Sequence, residues 1–130
     1  METIRQTITV DCPAHAVYEA FMDQEEHAEL TGAPAIIQNQ VGGDYSAYND
    51  ELVGEFTELV PDELIALAWR STMPDWPEDH FAEVSLELSQ SYDGTTIEFV
   101  ASQVPSECVD AVVEGWQNYY WNPLIRRFCW

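Results

Sequence analysis

Gly54-Glu55-Phe56-Thr57-Glu58-Leu59-Val60-Pro61, then Trp69-Arg70, then Trp76-Pro77-Glu78-Asp79-His80-Phe81, and finally Glu114-Gly115-Trp116-Gln117-Asn118-Tyr119-Tyr120-Trp121: the run from Gly54 to Trp121 decides the fold. All five tryptophans fall between Trp69 and Trp130. Large rings recur at fixed points of alternating segments and then along one helical segment. That pattern describes a strand-rich sheet closed by an aromatic helix, the shape of a container for a small hydrophobic ligand. Nothing in the run is a reaction motif.

Working outward, residues 51–60 and 63–71 flank Pro61-Asp62 and read as a hairpin, with Ile65, Leu67 and Trp69 on one face. Residues 80–90 alternate, with Ala82, Val84, Leu86 and Leu88 inward. Asp93-Gly94 is a hairpin turn, and residues 95–104 continue with Ile97, Phe99 and Ala101 inward. After Pro105 the period changes from two to about 3.6. Val109, Val112, Val113, Trp116, Tyr120, Leu124 and Phe128 then share one helical stripe. Pro123 sits inside it and lacks an amide donor, so a kink is expected near 119–123. Toward the N-terminus, residues 3–10 alternate as a strand, with Ile4, Ile8 and Val10 on one face. Asp11 and Pro13 open a first helix carrying Val17, Tyr18, Phe21 and Met22. Asp23 caps a second, which ends at Thr31-Gly32. Short extended segments at 33–38 and 45–48 follow. A meander with one apolar face must cover it, and only the C-terminal helix is large enough.

The 130 residues suit one domain, 1–130. A chain of this size buries about two-thirds of its unfolded surface and needs no staples. No apolar run reaches the ~20 residues of a membrane span. Met1-Glu2-Thr3-Ile4-Arg5 has no leader character. Cys12, Cys108 and Cys129 are odd in number, widely spaced and without an adjacent base, so they read as inert free thiols of a cytoplasmic protein. There are 24 acidic residues against 4 arginines and no lysine, a net charge of −20. Nucleic acid and anionic membranes are therefore excluded as partners. The acids run along the whole chain. They read as adaptation to high intracellular salt, with a basic protein partner as the alternative.

These segments carry a resemblance. Thr31-Gly32-Ala33-Pro34-Ala35, Gly42-Gly43, Gly54 to Pro61, Trp69-Arg70, Trp76 to Phe81 and Gly115 to Trp121 resemble the activator-of-heat-shock-protein-90-ATPase homologues (AHSA), within the START-like or SRPBCC superfamily. The likeness runs from about Ile4 to Phe128 and is strongest to the C-terminal domain of the eukaryotic co-chaperone. The co-chaperone's separate N-terminal activating domain has no counterpart in these residues. The resemblance implies an α+β helix-grip fold like that of birch-pollen allergen. In it a curved seven-stranded antiparallel sheet, with two short helices, grips a long C-terminal helix around a cavity.

Candidate site residues follow. Tyr45, Phe56, Trp69, Phe99, Trp116 and Tyr120 point toward one another by periodicity and are expected to line the cavity; the alternative is that they fill the core. Gln6 alternates inward and is a polar anchor for a guest. The loop Met73 to Phe81 is rigidified by prolines and presents Trp76, with His80, to a protein partner. The other reading of His80 is the first residue of a strand, packed beside Trp76, or an acid–base group at the cavity mouth. His27, among Glu25, Glu26 and Glu29, lies on a solvated acidic helix and binds no metal. His15 has no evident partner. Arg70 alternates away from Trp69 into an exterior ion pair, with a carboxylate guest as the alternative. There is no GxSxG, HExxH or phosphate loop, and no catalytic residue, metal or cofactor is expected. The chain reads as a domain that binds a small lipophilic molecule without catalysis. A co-chaperone-like modulator of the heat-shock-protein-90 ATPase is the alternative, and a cavity-based lyase or hydrolase the third.

Overall fold

The structure, a computed structural model, describes residues 1–128; the Cys129 thiol lies outside them. Its elements follow the periodicities closely. They are β1 (Glu2–Val10), α1 (Ala14–Met22), α2 (Gln24–Thr31), β2 (Ile36–Ile37), β3 (Asp44–Ala47), β4 (Leu52–Val60), β5 (Leu64–Ser71), β6 (Ala82–Ser91) and β7 (Gly94–Val104). A C-terminal helical run then comprises a 3-10 turn at Ser106–Cys108, α3 (Val109–Trp116), a π-turn at Gln117–Trp121 and α4 (Asn122–Arg127).

The seven strands form one sheet in the order β1-β7-β6-β5-β4-β3-β2, every neighbouring pair antiparallel. An extra residue in β7 opposite Glu2–Ile4 and one in β4 between Phe56 and Glu58 sharpen its twist. Gly54 of the quoted stretch is a glycine because β5 crosses it closely. A Cβ there would stand 2.0 Å from the Ala68 carbonyl oxygen.

The inner face carries Ile65, Leu67 and Trp69 of β5, Val84 and Leu86 of β6 and Ile97 and Phe99 of β7, all buried. The C-terminal helix lays Val112, Trp116, Tyr120, Trp121 and Leu124 onto it. The irregularity expected at Pro123 takes the form of the π-turn. The Asn122 amide reaches back to the Gln117 carbonyl, and Pro123 falls in the first turn of α4, where its missing donor costs nothing. The wider turn also rotates the stripe, so Trp121 joins Tyr120 in the core. A strict 3.6 period leaves Trp121 out.

Two helix starts differ in their partners. Asp23 caps α2 as expected, accepting from the Glu26 amide at 3.0 Å, and Gly32 closes that helix at φ 82°. Asp11 does not cap α1, whose N-cap position is Pro13. The Ala14 amide donates instead to Gln90 Oε1 of β6 at 2.8 Å, which ties the helix to the sheet.

Ion pairs among the described residues join His15 to Glu19 and Asp62, and Arg127 to Glu26 and Glu29. These pairs engage four of the carboxylates, against 24 acidic residues in the chain. Salt shortens the Debye length from about 10 Å at 0.1 M to about 3 Å at 1 M. The melting temperature is therefore expected to rise as potassium chloride is raised from low to molar concentration. A flat or falling midpoint contradicts the salt-adaptation reading.

Candidate binding cleft

A half-open cleft of about 300 Å³ lies between the first turns of the C-terminal helix and the β4–β5 side of the sheet. Buried Trp69, Trp116 and Tyr120 make its floor. Half-buried Leu52, Met73 and Tyr119 make its walls, and exposed Glu51, Glu114 and Asn118 its rim. Tyr48 also lines it, from the turn joining β3 to β4. In that turn Tyr48, Asn49 and Asp50 are all left-handed, with φ of 51°, 57° and 65°. For residues other than glycine this conformation costs about 1–2 kcal/mol each. It is held by Ser46 Oγ donating to the Asp50 carboxylate and by the Asn49 amide donating to the Pro34 carbonyl at 3.0 Å. The turn sets the Tyr48 ring on Tyr119, with centroids 4.2 Å apart.

Below the floor runs a buried polar chain whose direction follows from its ends. His27 Nδ1 lies 2.8 Å from the Phe21 carbonyl oxygen, which only accepts, so Nδ1 carries the proton. Burial drives the His27 pKa down to about 4, so the ring is neutral at pH 7. Nε2 then accepts from the Tyr120 hydroxyl at 2.8 Å, and the Tyr120 oxygen accepts from the Tyr45 hydroxyl at 2.5 Å. Burial raises the pKa of Tyr45 to about 12 and that of Tyr120 well above the ordinary tyrosine value, so both hold their protons. The chain braces α2, β3 and the π-turn together. Two buried donors at its edge are left over: neither Trp69 Nε1 nor Trp116 Nε1 has a hydrogen-bond partner. The Trp69 N–H lies close enough to Tyr45 to favour its ionised form, but outside hydrogen-bond geometry.

The family model described as "Activator of Hsp90 ATPase homolog 1-like protein" matches residues 11–127, which span the fold from the start of α1 to the end of α4. The chain belongs to this activator-of-Hsp90-ATPase homologue family. Similar proteins include the mouse activator of 90 kDa heat shock protein ATPase homolog 1, 32% identical over 86% of this chain and 32% of that protein. The human homolog 1 is 31% identical over the same shares. The AHSA chain thus spans about a third of the length of these relatives. Among solved structures, an HSP90 activator from Plasmodium falciparum superposes with a TM-score of 0.83 at 23% identity, covering 92% of this chain and 91% of that one. The START-like helix-grip architecture expected from the sequence is thereby established.

Within this AHSA domain the six rings expected around one cavity divide. Trp69, Trp116 and Tyr120 reach the cleft, whereas Tyr45, Phe56 and Phe99 lie outside its lining. Those three are packed solid: Phe99 against Trp116 and Trp121 at 4.6 and 5.3 Å, and Tyr45 edge-on to Phe56 at 6.1 Å. The cleft is displaced to one side because the π-turn crowds both Tyr120 and Trp121 over the centre of the sheet. Gln6 points inward, and its Oε1 accepts from Trp121 Nε1 at 2.9 Å, so its carbonyl braces the helix.

The partner loop needs correction. Trp76 is not presented but 3% exposed, edge-on to Trp69 at 5.6 Å, with its N–H donating to the His80 carbonyl at 2.7 Å. His80 precedes β6 and does not belong to a strand; it packs beside Trp76 and bonds the Gln103 carbonyl through Nε2 at 2.6 Å. The ring the loop exposes is Phe81, 44% accessible. Arg70 points outward as expected, but its guanidinium lies over Phe81, 5.9 Å from the ring centroid, in place of a carboxylate partner. His27 is the largest correction. The acidic neighbours suggest a solvated face, yet the imidazole is 1% exposed. The available signal is the His27, Leu30, Thr31 spacing, which is the one buried stripe of α2. His15 pairs with Asp62 at 2.9 Å, a contact across the fold that no local pattern reveals. Cys12 and Cys108 are buried free thiols; burial, with help from Asp11, pushes Cys12 up to about 11, which suits an inert role. No helix among the described residues is long and apolar enough to cross a membrane.

Proposed function

We propose that this domain binds a heat-shock-protein-90-type chaperone and modulates its ATPase. The observation that carries the reading is the identity with the mammalian activators over most of this chain. It outweighs the ligand container that the sequence alone puts first. The contact surface we assign is Phe81 with Arg70. The pair offers an exposed ring under a cation, at the end of a loop fixed by the Trp76–His80 bond. Aromatic and arginine side chains are the residue types that dominate binding at protein interfaces. The test is titration of the domain against the chaperone in 0.3 M salt, where diffuse electrostatic attraction is screened. Saturable binding that Phe81→Ala weakens about tenfold or more supports the reading. Absence of binding, or binding indifferent to Phe81, removes it.

A second reading has its own observation. The Trp116 N–H, in the floor of the cleft, is buried with no acceptor. Leaving such a donor unpaired costs about 1–3 kcal/mol. A small guest whose entry shifts the floor enough for an oxygen acceptor to reach that N–H recovers the cost. The cleft lies at the lower end of the roughly 300–1,000 Å³ usual for small-molecule sites.

A further inference from the structure

We propose that the cleft selects a small organic cation, an alkyl- or arylammonium, over neutral and anionic molecules of the same shape. This rests on the reading of the cleft as a guest site and adds the charge of the guest.

The lining is rich in aromatic rings. Tyr48 and Tyr119 overlap at the opening, and Trp116 stacks on Tyr120 at 4.3 Å below, with Trp69 beside them. Aromatic faces carry negative potential and attract an ammonium placed over them, more strongly once water is excluded. Apart from the phenols, the ionisable groups of the lining are Glu51 and Glu114, with no arginine or histidine among them. They come from opposite sides, Glu51 from the turn before β4 and Glu114 from α3, and they converge on one ring. The Tyr119 hydroxyl holds its proton above the ordinary tyrosine value, chiefly through the neighbouring Tyr48 hydroxyl and partial burial, and both carboxylates add to that. The opening is thus flanked by two negative charges. A carboxylate or phosphate guest meets like charge at the rim and aromatic rings inside. An ammonium meets opposite charge at the rim and then the half-buried rings of Tyr48 and Tyr119.

The acids elsewhere on the chain make a control necessary, because a net charge of −20 attracts any cation. The experiment is calorimetric titration in 0.5 M potassium chloride with three probes of similar size: benzyltrimethylammonium, its uncharged carbon isostere neopentylbenzene, and phenylacetate. The cation is expected to bind about tenfold or more tightly than the neutral probe, as a desolvated cation–aromatic contact supplies. The double variant Glu51→Gln/Glu114→Gln should reduce cation binding several-fold and leave the neutral probe alone. Glu83→Gln/Glu87→Gln, which removes the same charge from the outer face of β6, should change neither. Equal or tighter binding of the neutral or anionic probe overturns the charge preference, as does an equal effect of the two double variants. If those probes bind and Leu52→Trp, which narrows the cleft, weakens them, the guest site stands and only its preference for cations falls. If none of the three binds, the guest site falls as well.

Discussion

Replacing Trp116 by alanine is expected to lower the unfolding free energy by about 3–5 kcal/mol, the range for deleting a buried large aromatic. The ring is 3% exposed and sits at the junction of four others. It stacks on Tyr120 at 4.3 Å and packs on Phe99 at 4.6 Å, Trp121 at 5.4 Å and Trp69 at 6.0 Å. No smaller neighbour can swing into the space, because Tyr120 is tied to His27 and Trp121 to Gln6. Since Trp116 also floors the cleft, water can enter part of the void, which places the effect toward the lower end of the range. Chemical denaturation followed by circular dichroism measures it. An unchanged midpoint would mean that the helix does not lie on the sheet through this face.

Acidification should destabilise the domain through His27. The imidazole is neutral and buried in the folded state, with a pKa near 4, while in the unfolded chain it titrates at 6.5. The unfolded state therefore takes up the proton first. The stabilising contribution is complete above pH 6.5 and is lost as pH falls from there to about 4. Over that window the loss is about 3 kcal/mol, an order-of-magnitude figure for a shift of this size. It opposes the gain the sequence leads one to expect, in which mild acid relieves crowding among carboxylates. His27→Gln separates the two effects. Its amide can donate to Phe21 and accept from Tyr120 but does not titrate, while the acidic surface is unchanged. Denaturation midpoints measured between pH 7.5 and 4.5 should fall more steeply for the natural protein than for the variant. Parallel pH profiles would show that His27 is not the buried neutral group described here.

The strands were legible because their chemistry is local. Alternation in β6 and β7 and Asp23 before α2 each act within a few residues, and the structure uses them as read; the turn expected at Asp93-Gly94 falls one residue earlier, at Tyr92-Asp93, with Gly94 opening β7 against Ser91. What was not legible depends on lateral placement. Periodicity assigns Trp69, Phe99 and Trp116 to one face but does not say where the helix lies across that face. That offset, set by the π-turn, decides which rings meet the cleft and which fill the core. His27 was hidden by its acidic neighbours, although its spacing to Leu30 and Thr31 marks a buried stripe. Trp76 was misread because prolines suggest a presented loop. Its burial rests on a bond to the His80 backbone and an edge contact with Trp69, and neither has a sequence signature. The three left-handed residues at Tyr48 to Asp50 likewise follow from tertiary contacts.

The most direct test of the functional account is the ATP turnover of the cognate heat-shock-protein-90-type chaperone, measured with increasing amounts of this domain. The domain should change turnover in a saturable way, and Phe81→Ala, which leaves the core intact, should blunt the change. Turnover that stays constant up to a large excess of the natural domain would contradict the account.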